Sequence, residues 1–548
     1  MTTTIDPTER ETNLRRQLLG SAGVGIACAL LLLATSPITP MAFDEGNALL
    51  RVEKIEQWAE HWKLTDEAIV KHWQFTTQIE GHPAFYGIVI AVGRWISGSW
   101  LGPLDSARFG PMMFFGLAAG AMFYRMWREY SVVAAAGAVG ALMLLPRMFA
   151  HAHFASFDSP LTSCWILVWA MFAPAKQNWW GRVVWGIALG MAMSCKATGW
   201  FAVVGPAVCA LGYRDRAAIK VLLAGVPVAL LTFFVLNPPL WLHPIDGWLT
   251  FFKLNMSRKD LGLNFSTLFF GRMYNMDHPL PVSNTIIWTL IAVPVGTLAL
   301  AGIGIASIGR RWRTDAAGML LIAHWVVLLI VRAIPGTPVH DAIRLFLPSF
   351  AMLAALAGVG CGEVLAWASR RWPKSLRARR LAGTGILLLY AGSASSMIFY
   401  APQWLSHYNL LIGGLPGATA MGMEPTYYWD SLDNSVIDWL NENTAPDERI
   451  YIGYGSRDNI DRMLRWKVFR RDVRYVYQSG EFRWYVMQHR PSGMMRADHW
   501  LVKHAEPVFR KTLRPVGPGP WRLDVPLLEV YDYGDYLRAR AATEQDTP

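Results

Sequence analysis

The chain contains 548 residues, of which 53% are hydrophobic and only 17% are charged, and it carries a formal net charge of +11. This composition excludes an ordinary soluble protein of this length and predicts a polytopic membrane protein. The positive charge does not indicate nucleic-acid binding, because the arginines cluster in short loops between apolar runs, as orientation signals do. The five cysteines lie in apolar stretches without CxxC spacing, so we expect no disulfide framework.

Eleven apolar runs predict eleven membrane-spanning helices. The runs lie near residues 18–41, 105–124, 131–149, 160–174, 183–195, 197–212, 217–237, 284–308, 316–334, 342–368 and 381–401. If Arg10, Arg15 and Arg16 stay in the cytoplasm, every later basic loop also falls on the cytoplasmic side, as the positive-inside rule expects. This arrangement requires that the apolar stretch 83–100 does not cross, so we expect it to form a helix at the outer surface.

The same topology predicts the domain organisation of a multi-pass protein of the inner membrane. Residues 1–17 form a cytoplasmic N-terminus, and residues 18–401 form the membrane domain, with large outer loops at 42–104 and 238–283. Residues 402–548 form a small extracytoplasmic α/β domain. Within it, "VIDWLNENTAPDERIYIGYG" is typical of an amphipathic helix, a turn and a strand.

Acidic residues follow the first apolar run in "MAFDEGNALL". Asp44 and Glu45 lie where an amphipathic helix begins, so either carboxylate can serve as a helix cap or in chemistry. Further along, "EGHPAFYG" places His82 before Pro83, which is suited to begin the non-crossing helix. We expect His82 to face lipid headgroups or to pack, with metal binding as a weaker alternative.

A third group of polar residues lies in "PRMFAHAHFASFDSP", at the outer end of the third run. It contains Arg147, His151, His153 and Asp158. The two histidines share a face only on an extended chain, so the sequence leaves a metal site, interfacial anchoring, capping by Asp158 and anion binding by Arg147 open.

Two further cations lie between or just inside apolar runs. Lys196 occurs in "SCKATG" and Arg344 in "HDAIRLFLP". A cation is costly at such positions and usually serves a ligand or a pathway. The alternative is that both side chains extend to the headgroup region.

The order of these motifs resembles that of the GT-C membrane glycosyltransferases, above all the bacterial relatives of protein O-mannosyltransferases and lipid A aminoarabinose transferases. The resemblance covers residues 18 to about 450. It rests on the motifs "FDEGNALL", "EGHPAF", "FASFDSPLTSCWIL", "CKATG" and "RLFLPSFAML" and on the stretch from "HYNLLIGG" to "DWLNEN". The resemblance implies a GT-C-like fold and a sugar donor carried on a polyprenyl-phosphate lipid.

The resemblance also implies roles for the candidate residues. The enzyme would transfer the sugar, with inversion, to a hydroxyl of a protein, lipid or cell-envelope glycan at the outer face of the membrane. Asp44 would be the base, with Glu45 and Asp158 orienting it or the acceptor. The donor phosphate would be bound by Arg344, with Lys196 and Arg147 as alternates.

The resemblance implies no required cofactor. It leaves a divalent metal open, with three histidines as remaining site candidates: His82, His151 and His153. Two other functions fit the composition, namely a lipid or sugar transporter with an outer binding domain, and a polymerase or ligase that uses diphosphate-linked donors. A transporter would place its ionisable residues at mid-membrane in broken helices, whereas these residues gather at one face.

Overall fold

The computed structural model describes residues 7–79, 81–257, 264–477, 480–513 and 524–544, and most of these residues lie in helices. Up to residue 256 the helices are, in chain order, α1 (Pro7–Thr35), α2 (Glu45–His61), α3 (Asp66–Gln74), α4 (Phe85–Ser97), α5 (Pro103–Glu129), α6 (Val132–Met143), α7 (Pro146–His153), α8 (Asp158–Gln177), α9 (Trp179–Met193), α10 (Val204–Gly212), α11 (Arg216–Val235), α12 (Pro239–Leu242) and α13 (Pro244–Met256).

The second half of the chain contains a short hairpin, further apolar helices and a C-terminal sheet. Its elements are β1 (Thr267–Phe269), β2 (Arg272–Tyr274), α14 (Asn284–Ala292), α15 (Val295–Arg310), α16 (Ala316–Ala333), α17 (Leu347–Arg371), α18 (Leu376–Tyr400), α19 (Gly414–Ala420), α20 (Asn434–Asn443), β3 (Arg449–Ile452), α21 (Arg457–Arg465), β4 (Arg474–Tyr475), β5 (Trp484–Gln488), α22 (Arg496–His504), β6 (Phe509–Thr512), β7 (Pro526–Asp532) and α23 (Tyr533–Glu544). Shorter helical turns include Ser36–Ile38, Phe75–Ile79, Ala197–Val203, Ala342–Phe346, Trp404–Ser406 and Leu410–Ile412.

Each predicted apolar run coincides with one of these helices or with two consecutive ones. Among the described residues, five segments are long and apolar enough to cross a membrane: Glu11–Ile38, Arg216–Val235, Ala316–Ala333, Ala342–Arg371 and Leu376–Tyr400. A sixth results if α6 and α7, which meet at an angle of 73°, form one broken span. The chain is therefore a multi-pass membrane protein, whereas the number of eleven spans stays a prediction.

The outer segment that follows α1 folds as the sequence predicts. The amphipathic helix is α2, which begins after Asp44 and buries Leu49, Val52 and Trp58. The stretch predicted not to cross forms α4, which packs against α2 and α5. Its 13 residues span only about 20 Å, less than the roughly 30 Å of a bilayer's hydrocarbon core.

The C-terminal domain contains a mixed five-stranded sheet in the order β4-β3-β5-β7-β6. Strand β3 pairs in parallel with β4 and β5, whereas β7 runs antiparallel to β5 and β6. The predicted helix, turn and strand are α20 and β3, which confirms the α/β character of this domain.

This domain packs directly on the start of α2. The amide of Gly46 donates to Oδ1 of Asn459 at 2.8 Å, and Nδ2 of Asn459 donates to the carbonyl of Ala42 at 2.8 Å. Val52 and Ile460 also belong to one buried apolar cluster. The segment that carries Asp44 is therefore fixed between the membrane helices and the C-terminal domain.

A buried ion pair fixes the same segment from its other side. Arg108 of α5 donates from Nε and Nη2 to the two carboxylate oxygens of Glu45, both at 2.8 Å. Arg108 also donates to the carbonyls of Ser36, Thr39 and Pro40. Since both charged side chains are fully buried, the pair ties α1, α2 and α5 into one structural unit.

We predict that Glu45→Ala destabilises the protein by about 3–5 kcal/mol, because it leaves the Arg108 guanidinium buried without its counter-charge. Glu56→Ala is the matched control on the same helix. Its partner Arg94 lies at 3.2 Å and both side chains are about one third exposed, so its loss costs under about 1 kcal/mol. Thermal unfolding of the purified variants measures both, and equal melting temperatures would contradict the structural role of Glu45.

Candidate active site

Arg344 lies at the centre of a buried charged cluster. It follows a tight turn after α16, and its side chain is 5% exposed. Its Nε donates to Asp158 at 2.7 Å, its Nη1 donates to Asp341 at 2.7 Å, and its Nη2 donates to Asp44. Its guanidinium carbon also lies 4.0 Å from the ring centroid of Tyr428. All three nitrogens of this arginine are therefore bound to carboxylates.

Lys196 completes one side of the cluster. It precedes the helical turn Ala197–Val203, and its Nζ donates to Oδ1 of Asp158 at 3.0 Å. The same Nζ lies 4.4 Å from the ring centroid of Phe157. The structure thus brings together four residues that the sequence selected separately, namely Asp44, Asp158, Lys196 and Arg344.

The C-terminal domain contributes the other side. Arg490 lies 2.9 Å from Oδ1 of Asp341 and 3.2 Å from Oε2 of Glu424. Its guanidinium carbon lies 3.8 Å from the ring centroid of Trp429. Sequence reasoning missed Arg490 and Glu424, because neither lies beside an apolar run that would mark it.

Burial and the neighbouring cations act in opposite directions on the pKa of each acid, and a different one of the two effects is larger at Asp341 and at Glu424. Burial alone would raise the pKa of Asp341, but the positive charges of Arg490 and Arg344 hold that pKa below its ordinary value. Burial raises the pKa of Glu424 above its ordinary value, and the charge of Arg490 offsets only part of this effect. Asp341 is therefore the more firmly ionised of the two.

The cluster borders a cavity of about 390 Å³. Its charged lining consists of Asp44, Lys196, Arg332, Asp341, Arg344 and Arg490, and its apolar lining includes Phe43, Phe265, Leu328, Val331, Pro338 and Leu345. The Asp44 side chain is 28% exposed, compared with 1% for Asp158 and 5% for Asp341. Among these acids Asp44 is therefore the most accessible to a ligand in the cavity.

Arg332 is a third residue that sequence reasoning missed. It lies near the end of α16, is buried, and lines the cavity. It makes no ion pair with any residue that the structure describes. Its Nη1 donates to the Thr337 hydroxyl at 3.0 Å, and its Nε has no hydrogen-bond partner among the described residues. The sequence did contain a signal for Arg332, because a cation within an apolar run is as costly at this position as at Arg344.

Asp44 and Glu45 have different surroundings despite their adjacency. Asp44 occupies the N-cap position of α2, yet its side chain makes no capping hydrogen bond. Glu45 accepts from Arg108 and from the amides of Ala42 and Ala155, both at 2.8 Å, and it does not line the cavity. This geometry gives Glu45 a structural role, and its role in orienting the base or the acceptor stays a prediction.

Arg147 also lies outside the cavity. Its guanidinium carbon is within 5.4 Å of the ring centroids of Trp288, Tyr408 and Tyr427, and its Nε donates to the carbonyl of His407 at 3.0 Å. It lies on α7, which turns inward at the break after α6 and is buried along its whole length.

Of the three candidate histidines, one lines the cavity and the other two pack elsewhere among buried side chains. His82 lines the cavity and packs on the ring of Phe157. His153 is bonded to the Thr35 hydroxyl and the Phe149 carbonyl at 2.8 and 2.7 Å, and His151 packs against aromatic rings. In the described part of the chain, no group of three or more His, Cys, Asp or Glu side chains is arranged to hold a metal ion.

No model of a protein family matches this chain, and no curated protein matches it. Among solved structures, ArnT from Cupriavidus metallidurans in the apo state is similar, with a TM-score of 0.48 and 14% identity over 93% of this chain and 98% of that chain. The Archaeoglobus fulgidus oligosaccharyltransferase in the apo form has a TM-score of 0.49 and 11% identity, over 86% of this chain and 69% of that chain.

The protein O-mannosyltransferase Pmt1-Pmt2 complex of S. cerevisiae, bound to the sugar donor, is a more distant match. It has a TM-score of 0.32 and 17% identity, over 46% of this chain and 36% of that chain. Each of these three structures has a TM-score below 0.5, so membership of the GT-C glycosyltransferases stays a prediction of the sequence motifs.

Proposed function

We propose that this protein is a membrane glycosyltransferase that moves a sugar from a polyprenyl-phosphate lipid to an acceptor hydroxyl at the outer face of the inner membrane. The observation that carries the proposal is the lining of one cavity. There a partly exposed carboxylate, a buried cation that has no ion-pair partner in the described part of the chain and several apolar side chains lie together. Such a lining suits a hydroxyl acceptor, a phosphate and a lipid chain, respectively.

Asp44 is the proposed base. Its contact with Arg344 uses only Oδ2, so Oδ1 remains for an acceptor hydroxyl. An ion-paired carboxylate is a weak base, but it can accept the proton late, when oxocarbenium character has developed at the sugar carbon and the attacking hydroxyl has become acidic. Arg344 is then a positioning residue that fixes the carboxylate through a planar guanidinium.

Arg332 and Lys196 are the proposed binding groups for the donor phosphate. Arg332 has a buried N–H without an acceptor, and a phosphate oxygen would satisfy it through a charge-assisted hydrogen bond. Leu328 lies one helical turn before Arg332, on the same face of α16, and both line the cavity. The cationic and apolar surfaces are therefore contiguous, as a lipid with a phosphate headgroup requires.

The proposed reaction is a single displacement. The acceptor oxygen forms a bond to the anomeric carbon, the bond from that carbon to the phosphate oxygen breaks, and the lipid phosphate leaves with the electron pair. The hydroxyl proton passes to Asp44, and the sugar configuration inverts. The leaving group is a phosphate monoester whose charge the nearby cations stabilise, so the reaction as written requires no cofactor, and a divalent metal stays open.

We predict that Asp44→Asn lowers the transfer rate by roughly 10²–10⁴-fold, because the amide cannot accept the proton. Asparagine is nearly isosteric and still suits an N-cap position, and Arg344 keeps its ion pairs with Asp158 and Asp341. Since Asp44 is also partly exposed, we expect the melting temperature to fall less than in Glu45→Ala. The transfer rate is measured with whichever donor a panel of polyprenyl-phosphate sugars shows to be consumed.

Asp66→Asn is the control for this experiment. Asp66 is an exposed carboxylate of the same outer segment that pairs with His243 and does not line the cavity. We expect near-parent activity from it. If Asp44→Asn transfers sugar at the parent rate, Asp44 is not the base.

We further predict that Arg332→Gln weakens binding of a polyprenyl phosphate by roughly 10–100-fold, the equivalent of losing a hydrogen bond to a charged group worth about 1.5–3 kcal/mol. Arg332→Lys keeps the charge without the planar fork and should recover part of the affinity. Arg94→Gln, which removes a cation of α4 that is about one third exposed and lies outside the cavity, is the control. Binding measured by thermophoresis in detergent tests this, and equal affinity in all variants would remove Arg332 from the phosphate site.

A further inference from the structure

A second cavity lies at the other end of α16, which lines the first cavity, and of α8, which begins in the charged cluster. Helix α8 begins with Asp158 in the charged cluster and reaches the second cavity with Lys176, while α16 runs from Ala316 at the second cavity to Arg332 at the first. The part of α8 between Asp158 and Lys176 is about 27 Å long at the α-helical rise, which is close to the thickness of a bilayer core. The two cavities therefore lie near opposite membrane surfaces.

The second cavity has a volume of about 290 Å³ and is bordered by α5, α8, α10, α11 and α16. Small side chains leave this space open, because Ala173, Ala210, Ala218, Ala316 and Ala317 all face it. Phe172 and Leu320 give it an apolar portion. The cavity thus combines room between helices with an apolar wall.

Arg125 provides a buried cation in this cavity. Its side chain is 8% exposed, its Nη1 lies 3.0 Å from Glu129, and its Nε has no hydrogen-bond partner within the residues that the structure describes. A buried N–H of a charged group without an acceptor is costly. An anion in the cavity would provide the missing acceptor.

The acidic residues that line the cavity are already neutralised by neighbouring donors. Asp215 accepts from the amides of Ala217 and Ala218, as the cap of α11, and from Lys176 at 3.0 Å. Glu129 is paired with Arg125. Arg214 and Arg216, which flank Asp215 in the sequence, and Lys220 on the first turns of α11 add positive charge near these cavity residues. The local field therefore favours an anion.

We propose that this cavity binds the phosphate of an anionic phospholipid headgroup, from the leaflet opposite to the proposed active site. Basic pockets between transmembrane helices suit such headgroups. Arg125 and Lys176 bind the phosphate, and the apolar wall receives the upper part of an acyl chain. This site does not depend on the glycosyl transfer proposed above, since none of its residues borders the first cavity.

The test is native mass spectrometry of the full chain, purified in detergent and mixed with phosphatidylglycerol or with phosphatidylcholine. We expect retained adducts with phosphatidylglycerol only. Arg125→Gln and Lys176→Gln should each reduce the fraction bound by roughly fivefold, the effect of about 1 kcal/mol per basic residue. Arg128→Gln removes the same charge from an exposed side chain beside the cavity and should bind as the parent does.

Two outcomes would overturn the proposal. Equal binding by Arg125→Gln, Lys176→Gln and Arg128→Gln would show that the lipid lies elsewhere. Displacement of phosphatidylglycerol by millimolar inorganic phosphate would show that the ligand is a free phosphate ion. If Arg125→Gln fails to fold, the binding measured with Lys176→Gln decides whether the proposal holds. The Lys176 side chain is one third exposed, so its replacement leaves the helix packing intact.

Discussion

The structure around the proposed active site depends on the compensation of one buried charge. Arg344 is bound to carboxylates that lie 300, 186 and 3 residues away in the sequence. A buried guanidinium is tolerated only when its partners are close and well oriented, and removal of one partner typically costs several kcal/mol. The starts of α2 and α8 and the turn before α17 are therefore held in place by the same interaction that forms the site. A substitution of the buried Asp158 or Asp341 would therefore change both the stability of the fold and the geometry of the site.

The charge network also explains why the C-terminal domain belongs to the site. Through Asp341 and Arg490 the network passes from the membrane helices into that domain. Tyr428 and Trp429, which lead into it, both have left-handed backbone angles, with φ of 63° and 52°. Such strain persists only where the surroundings compensate for it. Here the carbonyl of Tyr428 accepts from the amide of Phe43 at 3.0 Å, and the two rings stack on Arg344 and Arg490.

Much of this arrangement could be predicted because it follows from local patterns. Each apolar run became helical, and Asp44, Asp158, Lys196 and Arg344 were selected by one rule, that a charge beside an apolar run needs a reason. The rule could not show that Asp44 lines the cavity while Glu45 is buried in an ion pair, because this depends on Arg108, the partner of Glu45, which lies 63 residues away. Nor could it show that Arg147, His151 and His153 lie outside the cavity, because that depends on the 73° bend before α7 and on the burial of this helix. Arg490 could not be found at all, since its contacts exist only in the folded chain.

The balance of charges suggests how roles are divided in the proposed reaction. Asp158 and Asp341 each have two cationic partners, and Glu424, with one, is fully buried. Asp44 has Arg344 alone and is partly exposed. Among the cations that line the cavity, Arg332 has no carboxylate partner within the described residues. Asp44 and Arg332, the acid and the cation of this group with the least neutralisation by opposite charges, thus line the same cavity. A hydroxyl that loses a proton and a phosphate that gains charge would each find the complementary group there, while the fully paired residues keep both in position.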